Sequence, residues 1–283
     1  MAIFSKSKSN TQEKHDTGNG TVSRKQSHVT RNVSLISAFL FFIAVIFLIL
    51  VEVGSTSVGP TLSSIYFLKL DLSQIVPATI PDAVLLNTIA QSIGLHDYYS
   101  VGLWNFCEGY VGQGITTCSK PETLYWFDPV SIILNELLAG ATIAIPTQVV
   151  TYLTILKVAS QVMFGLFLTG LLLDFLMVIT IPFSMRNGWL QCFITIFSLL
   201  AALCTTVAAL IATAIFVIIT KAATGVTELH IGATIGKKMF AFMWIASACT
   251  LIAWLLQTSV CCCCRKRRRR EHPKKRDMVE NKV

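Results

Sequence analysis

Gly102-Leu103-Trp104-Asn105-Phe106-Cys107 opens a stretch that runs on as EGYVGQGITT and closes at Cys118. These are two of the chain's nine cysteines, and the long segment between the first two apolar runs holds no others. Two strands with a turn between them and a Cys at each base read as a bridged hairpin. Closing a loop of this length stabilises it by about 3 kcal/mol in the chain-entropy view. A small loop module buries little apolar surface, so covalent help is expected, and a disulfide places the loop in an oxidising compartment. The competing reading is a pair of free thiols. Trp104 reads as an aromatic wedge against the hairpin or the membrane face.

The chain around this hairpin is too apolar for an ordinary soluble domain, with 53% hydrophobic and 13% charged residues. Four runs carry the excess, at about 34–54, 159–181, 190–219 and 240–260. Each reaches the roughly 20 residues that cross the hydrocarbon layer. Lipid offers no backbone partner, so all four are expected to be helices. The first run follows 33 polar residues and exceeds a signal h-region, so it reads as a retained anchor. The expected fold is an all-α membrane protein, a four-helix transmembrane bundle with a large disulfide-bonded, β-containing loop (55–158) between spans 1 and 2. The expected organisation is a disordered tail over 1–33, a membrane domain over 34–264 and a basic tail over 265–283.

Basic residues set the orientation. Residues 1–33 hold six Lys/Arg and residues 265–283 hold ten, whereas residues 57–150 hold only Lys69 and Lys120 against seven acids. Lys221, Lys237 and Lys238 oppose the scheme weakly. Both termini are therefore expected in the cytoplasm and the large loop outside. The net charge of +8 sits in the tails, where it faces an anionic leaflet. Nothing in it calls for nucleic acid.

Within the large loop, Tyr66, Leu68, Leu70 and Leu72 alternate with other residues, a half-buried strand pattern. Residues 83–93 read as a short helix ended by Gly94. Tyr98 to Phe106 and Thr123 to Phe127 read as the two hairpin strands, with Gly109, Gly112, Gly114 and Lys120-Pro121 supplying turns. Residues 130–145 are apolar but interrupted by Asn135, Glu136 and Gly140. They read as a helix lying on the membrane rather than a fifth span, which would separate the two basic tails.

Asp174 is the acid deep within a span, costly there by roughly 2.5 to 3.5 kcal/mol and therefore a candidate by default. Three readings stand: packing against another helix, a bond to Thr180 or a third-span Ser/Thr, or an ion path. Glu52 and Lys157 lie at span ends and read as snorkelling. Small residues (Ala201, Ala202, Ala208, Ala209, Ala212 and Ala214, with Gly165 and Gly170) read as close helix contacts. Cys192, Cys204 and Cys249 read as small buried hydrophobes.

At the foot of the fourth span Cys261, Cys262, Cys263 and Cys264 run directly into Arg265, Lys266, Arg267, Arg268, Arg269 and Arg270. Adjacent thiols suit a metal tetrahedron poorly, and no metal is expected. They read as S-palmitoylation sites, the basic run as a binder of anionic inner-leaflet headgroups. A plain stop-transfer signal with inert cysteines is the alternative. Both N-x-S/T sequons, at Asn19 and Asn32, fall on the cytoplasmic side, so no N-glycan is expected. Nucleotide loops, metalloprotease motifs and nucleophile elbows do not occur; neither an enzyme nor a cofactor is expected.

The G-L-W-x-x-C signature with its second Cys resembles the first loop of claudin-like tetraspans. Tyr99 to Thr142 (YSVGLWNFCEGY, ITTCSKPETLYWFDPV, LNELLAGAT) and MFGLFLTG at Met163 to Gly170 resemble, more specifically, the fungal SUR/PalI family. The resemblance implies a plasma-membrane protein of cortical, eisosome-type patches, with roles in membrane organisation, cell-wall integrity, endocytosis or sporulation. It implies self-association and cortical membrane partners, and no catalytic residue. A PalI-type accessory of ambient-pH signalling is the alternative, disfavoured by the short C-terminal tail. A channel or transporter subunit built on Asp174 is a third reading.

Overall fold

A computed structural model describes residues 13–73, 96–128, 147–184, 188–225 and 232–280. In chain order the elements are α1 (Glu13–Val53), a one-turn 3-10 helix (Leu62–Ser64), β1 (Leu68–Asp71), β2 (Tyr98–Val101), β3 (Phe106–Tyr110), β4 (Gly114–Cys118), α2 (Thr147–Ser184), α3 (Gly188–Gly225), β5 (Gly232–Ile235) and α4 (Lys237–Glu280). Among the described residues, four stretches are long and apolar enough to cross a membrane: Thr30–Val53, Leu153–Phe183, Leu190–Thr224 and Lys237–Cys262. The claudin-like four-span architecture is thus present, a helical bundle capped at one end by a small antiparallel sheet.

The helices outrun the expected spans. At about 1.5 Å per residue, the 35-residue apolar stretch of α3 is far longer than a hydrocarbon core of roughly 30 Å. Its surplus stands out at the sheet end, where Phe216 stacks on Phe67 with ring centroids 4.8 Å apart. α2 likewise begins at Thr147 rather than near 159. Lys157 interrupts the apolar run but is itself a good helix former, and its ammonium sits 5.6 Å from the Trp126 ring centroid. At the other end α1 begins at Glu13, within the stretch read as a disordered tail. Once the apolar run has nucleated a helix, each added residue gains a hydrogen bond at little further cost.

Helix contact relies on small residues where the backbones come closest. Ala201, Ala202, Ala208, Ala209 and Ala212 of α3 are fully buried, whereas Ala214 is exposed. A Cβ on Gly170 of α2 would lie 2.7 Å from Thr205 Cγ2, while one on Gly165 would meet nothing within 4 Å. Gly170 is thus a true crossing point and Gly165 is not. Cys204 is buried as expected, but Cys192 is exposed and Cys249 half-buried.

The sheet order is β4-β3-β2-β1-β5, all neighbours antiparallel. β1 falls where the alternation placed it. The hairpin does not: β3 and β4 occupy the glycine-rich segment read as turns, and residues 123–127 form no strand. Gly112 and Gly114 take positive φ (86° and 77°) and make the tight turn. Gly109 is needed because a Cβ there would collide with the Gly114 backbone. Glycines that look like punctuation in the sequence are in part the strand pair itself. β5 joins from the connection between α3 and α4, with Leu68 opposite Ile235 and Asp71 opposite Gly232. The readings at 83–93 and 130–145 lie outside the described residues.

One large apolar cluster joins the two layers, with Phe67, Tyr99 and Leu103 from the sheet side and Phe164, Phe167, Met239 and Met243 from the helices. A smaller one, around Phe41, Met177, Ile181, Ile194 and Ala253, fills the opposite half of the bundle.

Candidate functional site

Gly102, Leu103 and Trp104 form, with Asn105, the turn between β2 and β3. Val101 pairs with Phe106, and the Gly102 N–H donates to the Asn105 carbonyl at 2.9 Å. A Cβ at Gly102 would lie 2.8 Å from the Gly54 carbonyl oxygen and 3.0 Å from Ser55 Cβ. Only glycine lets this turn seat on the end of α1. Leu103 is fully buried in the large cluster.

Trp104 couples sheet to bundle. Its indole N–H donates to Glu52 Oε2 at 2.8 Å, and its ring meets Phe164 of α2 edge-on with centroids 4.6 Å apart. One side chain of the turn therefore grips both α1 and α2. Glu52 is buried, which corrects its reading as a snorkelling end residue. A carboxylate in the last turn of a span, with a loop Trp offering one donor, was the overlooked signal. A buried carboxyl group must find a hydrogen-bond partner, and the indole N–H supplies one.

Cys107 and Cys118 are disulfide-bonded and directly opposite in the β3–β4 register. Asn105 fastens the same corner by donating from Nδ2 to the Ser119 carbonyl at 2.9 Å, and the Ser119 N–H donates to the Phe106 carbonyl at 2.9 Å. Ser55, just past α1, is fully buried with φ 59°. It is held there by its N–H donating to the Leu62 carbonyl at 3.0 Å and by its hydroxyl 3.5 Å from that of Ser100. A non-glycine residue in this conformation persists only where its surroundings over-determine it. Farther out, Asp97 Oδ2 accepts from the Val111 N–H at 2.8 Å, and His96 stacks on Tyr110 at 4.7 Å with Glu108 Oε2 3.5 Å from its Nδ1.

Asp174 does not belong to this junction. It is fully buried between helices, and its Oδ2 accepts from the Thr250 hydroxyl of α4 at 3.2 Å. Neither expected partner is used, since Thr180 donates to the Leu176 carbonyl of its own helix. Helix phase could not reveal that the fourth span supplies the donor.

At the end opposite the sheet, Cys261 is half-buried and Cys262 exposed. The side chains of Cys263, Cys264 and Arg265 to Arg270 lie outside the described residues, although α4 continues through them to Glu280. The sequence-derived residues thus fall into three separate places: the sheet–bundle junction, the buried Asp174 and the end of α4. No three described His, Cys, Asp or Glu residues converge to hold a metal.

The chain is 31% identical over 169 residues to "SUR7 family protein pun1" of Schizosaccharomyces pombe, covering 57% of this chain and 59% of that protein. It is 26% identical over 246 residues to "Protein PUN1" of Saccharomyces cerevisiae, covering 80% of this chain and 91% of that one. The chain thus spans less than two thirds of the fission-yeast relative's length. The SUR7/PalI family model matches residues 33–256, which take in the bridged sheet, the second and third spans and most of the first and fourth, and this multi-pass membrane protein belongs to the SUR7/PalI family.

Proposed function

We propose that the chain is a non-enzymatic organiser of plasma-membrane domains, gathered in cortical, eisosome-type patches and supporting cell-wall integrity, endocytosis or sporulation. The observation that carries the reading is the Trp104–Glu52 grip of a disulfide-closed sheet on the bundle. Such a part is rigid and presents a fixed surface, as lateral assembly requires, and it brings no reactive constellation with it.

In this reading the sheet faces the cell wall and both termini are cytoplasmic, consistent with the basic tails. S-acylation at Cys261 to Cys264 and binding of anionic headgroups by Arg265 to Arg270 hold the foot in an ordered inner leaflet. Assembly proceeds by self-association and contact with other cortical membrane proteins. Live imaging of a tagged chain tests this: stable cortical patches are expected. Smooth, mobile fluorescence over the whole membrane would overturn it. Hydroxylamine-sensitive acyl labelling, lost when Cys261 to Cys264 are replaced by Ala, tests the foot.

A further inference from the structure

Thr206 of α3 and Ser247 of α4 hydrogen-bond through their hydroxyls at 2.9 Å, which fixes the register of these two antiparallel helices. Two heptads before Thr206 stands Cys192, and two heptads after Ser247 stands Cys261. Heptad steps return a packed helix to the same face. Equal steps away from one contact keep the two positions level, so the register sets the cysteines opposite each other at the end of the bundle away from the sheet. The Cys261 thiol is accordingly in hydrogen-bonding contact with Cys192, with Thr195 beside it. Cys204 and Cys249 also lie equally far from the Thr206–Ser247 contact, at two residues each. Two residues turn a helix by about 200°, which carries both of those away from it.

Cys192 and Cys261 each fall at the end of a span, close to Leu190 and Cys262, the bounds of the two apolar stretches. Cys192 is exposed and Cys261 half-buried. One sulfur is thus open to a small oxidant at the membrane boundary, with a second thiol beside it. That is the arrangement in which a sulfenic acid is captured as a disulfide.

We propose that Cys192 and Cys261 are a modification site, a thiol pair that a hydroperoxide converts to a disulfide tying α3 to α4. The Cys192 sulfur attacks one oxygen of hydrogen peroxide; an S–O bond forms, the O–O bond breaks, and the leaving oxygen departs as water. The Cys261 sulfur then displaces the hydroxyl of the sulfenic acid, which takes a proton and leaves as a second water as the S–S bond forms. Two thiols and one peroxide give one disulfide and two waters, with two electrons passing from sulfur to oxygen. On the side of the basic tails, where a thiol-reducing compartment is expected, the pair rests as the dithiol and the bridge is transient. That resting state follows from the orientation under the proposed function, whereas the pairing itself does not depend on it. A sulfur held in the bridge carries no acyl chain, so oxidation and S-acylation exclude each other at Cys261.

The test uses the full chain in phosphatidylcholine vesicles, treated with hydroxylamine to free any acylated sulfur, desalted and given hydrogen peroxide. Remaining thiols are blocked with N-ethylmaleimide, and the chain is digested without reduction and mapped by mass spectrometry. A peptide pair joining Cys192 to Cys261 within one chain is expected, released by dithiothreitol. Cys192→Ser and Cys261→Ser should each abolish it, and Cys204→Ser should leave it unchanged. Unfolding the unsubstituted chain in SDS and urea before oxidation is expected to lower the yield about tenfold, since the thiols then meet only through a long flexible chain. Absence of the linked pair, linkage only between two copies, the same yield in Cys261→Ser, or the same yield from the unfolded chain would each overturn the proposal. The unsubstituted chain decides alone should a variant fail to fold. In acid-quenched cells the pair should be reduced at rest and linked after peroxide; a bridge already present at rest would support the pairing and overturn the orientation.

Discussion

The two ends of the bundle are built on different rules. At the sheet end, polar side chains reach across elements: Trp104 to Glu52, Asn105 to Ser119, and Asp97 to the Val111 N–H. In the opposite half, polar groups are buried with less to hold. Among the described residues, neither Gln257 Nε2 nor Oε1 has a partner, and Ser34 Oγ and Asp174 Oδ1 also lack one. The sheet end is not free of orphans, since Glu52 Oε1 and Asn105 Oδ1 are unbonded; each of those residues is anchored through its other atom, as Asp174 is through Thr250, whereas the Gln257 amide has neither atom bonded. Unsatisfied buried polarity costs about 1 to 3 kcal/mol per group. The sheet end is therefore the more fully bonded, while the opposite half carries more unsatisfied polarity alongside its Ser37–Ala253 and Thr250–Asp174 bonds.

Breaking the more fully bonded end should produce the largest effects. Trp104→Ala removes the wedge and strands Glu52, and a loss of about 3 to 5 kcal/mol is expected. Thermal unfolding of the detergent-solubilised protein measures it, and a shift no larger than that of a lipid-facing control would contradict the coupling. Next, Cys107→Ser or Cys118→Ser should cost about 3 kcal/mol and retain the protein in the secretory pathway; normal surface delivery of both would show that the bridge is dispensable. Gly102→Ala drives a Cβ against the Gly54 carbonyl, and overpacking of this kind costs about 1 to 3 kcal/mol, again read by thermal unfolding.

The smallest change should come from the other end. Asp174→Asn keeps an acceptor for Thr250, so a stability change under about 1 kcal/mol is expected. The same variant settles the ion-path reading: an altered conductance in reconstituted bilayers would favour it, and an unchanged trace would remove its support. If Asp174→Asn unfolds the protein as readily as Trp104→Ala, the contrast between the two ends fails.

Much of this was legible in the residues. Spans announce themselves because lipid forces apolar composition and helix together, and Cys107 with Cys118 had no other cysteines in the loop to pair with. Strand placement failed where glycine carries two meanings. Gly109 sits inside β3 because of close backbone approach, whereas Gly112 serves the turn, and composition does not separate the two. Partners distant in sequence were invisible for a related reason. Glu52 finds Trp104 52 positions away and Asp174 finds Thr250 76 away, and neither spacing follows from any local period. β5 was missed because its four residues bury only alternate side chains partway, too weak a pattern without β1 beside it.

That last strand has a consequence for how the protein is made. β1 is synthesised long before residues 232–235, and until they arrive one of its hydrogen-bonding edges is open. An open edge is a template for pairing with another chain. Completion of the sheet therefore waits for α3 and the connection that follows it. A chain interrupted before Gly232 leaves the β5-facing edge of β1 unpaired.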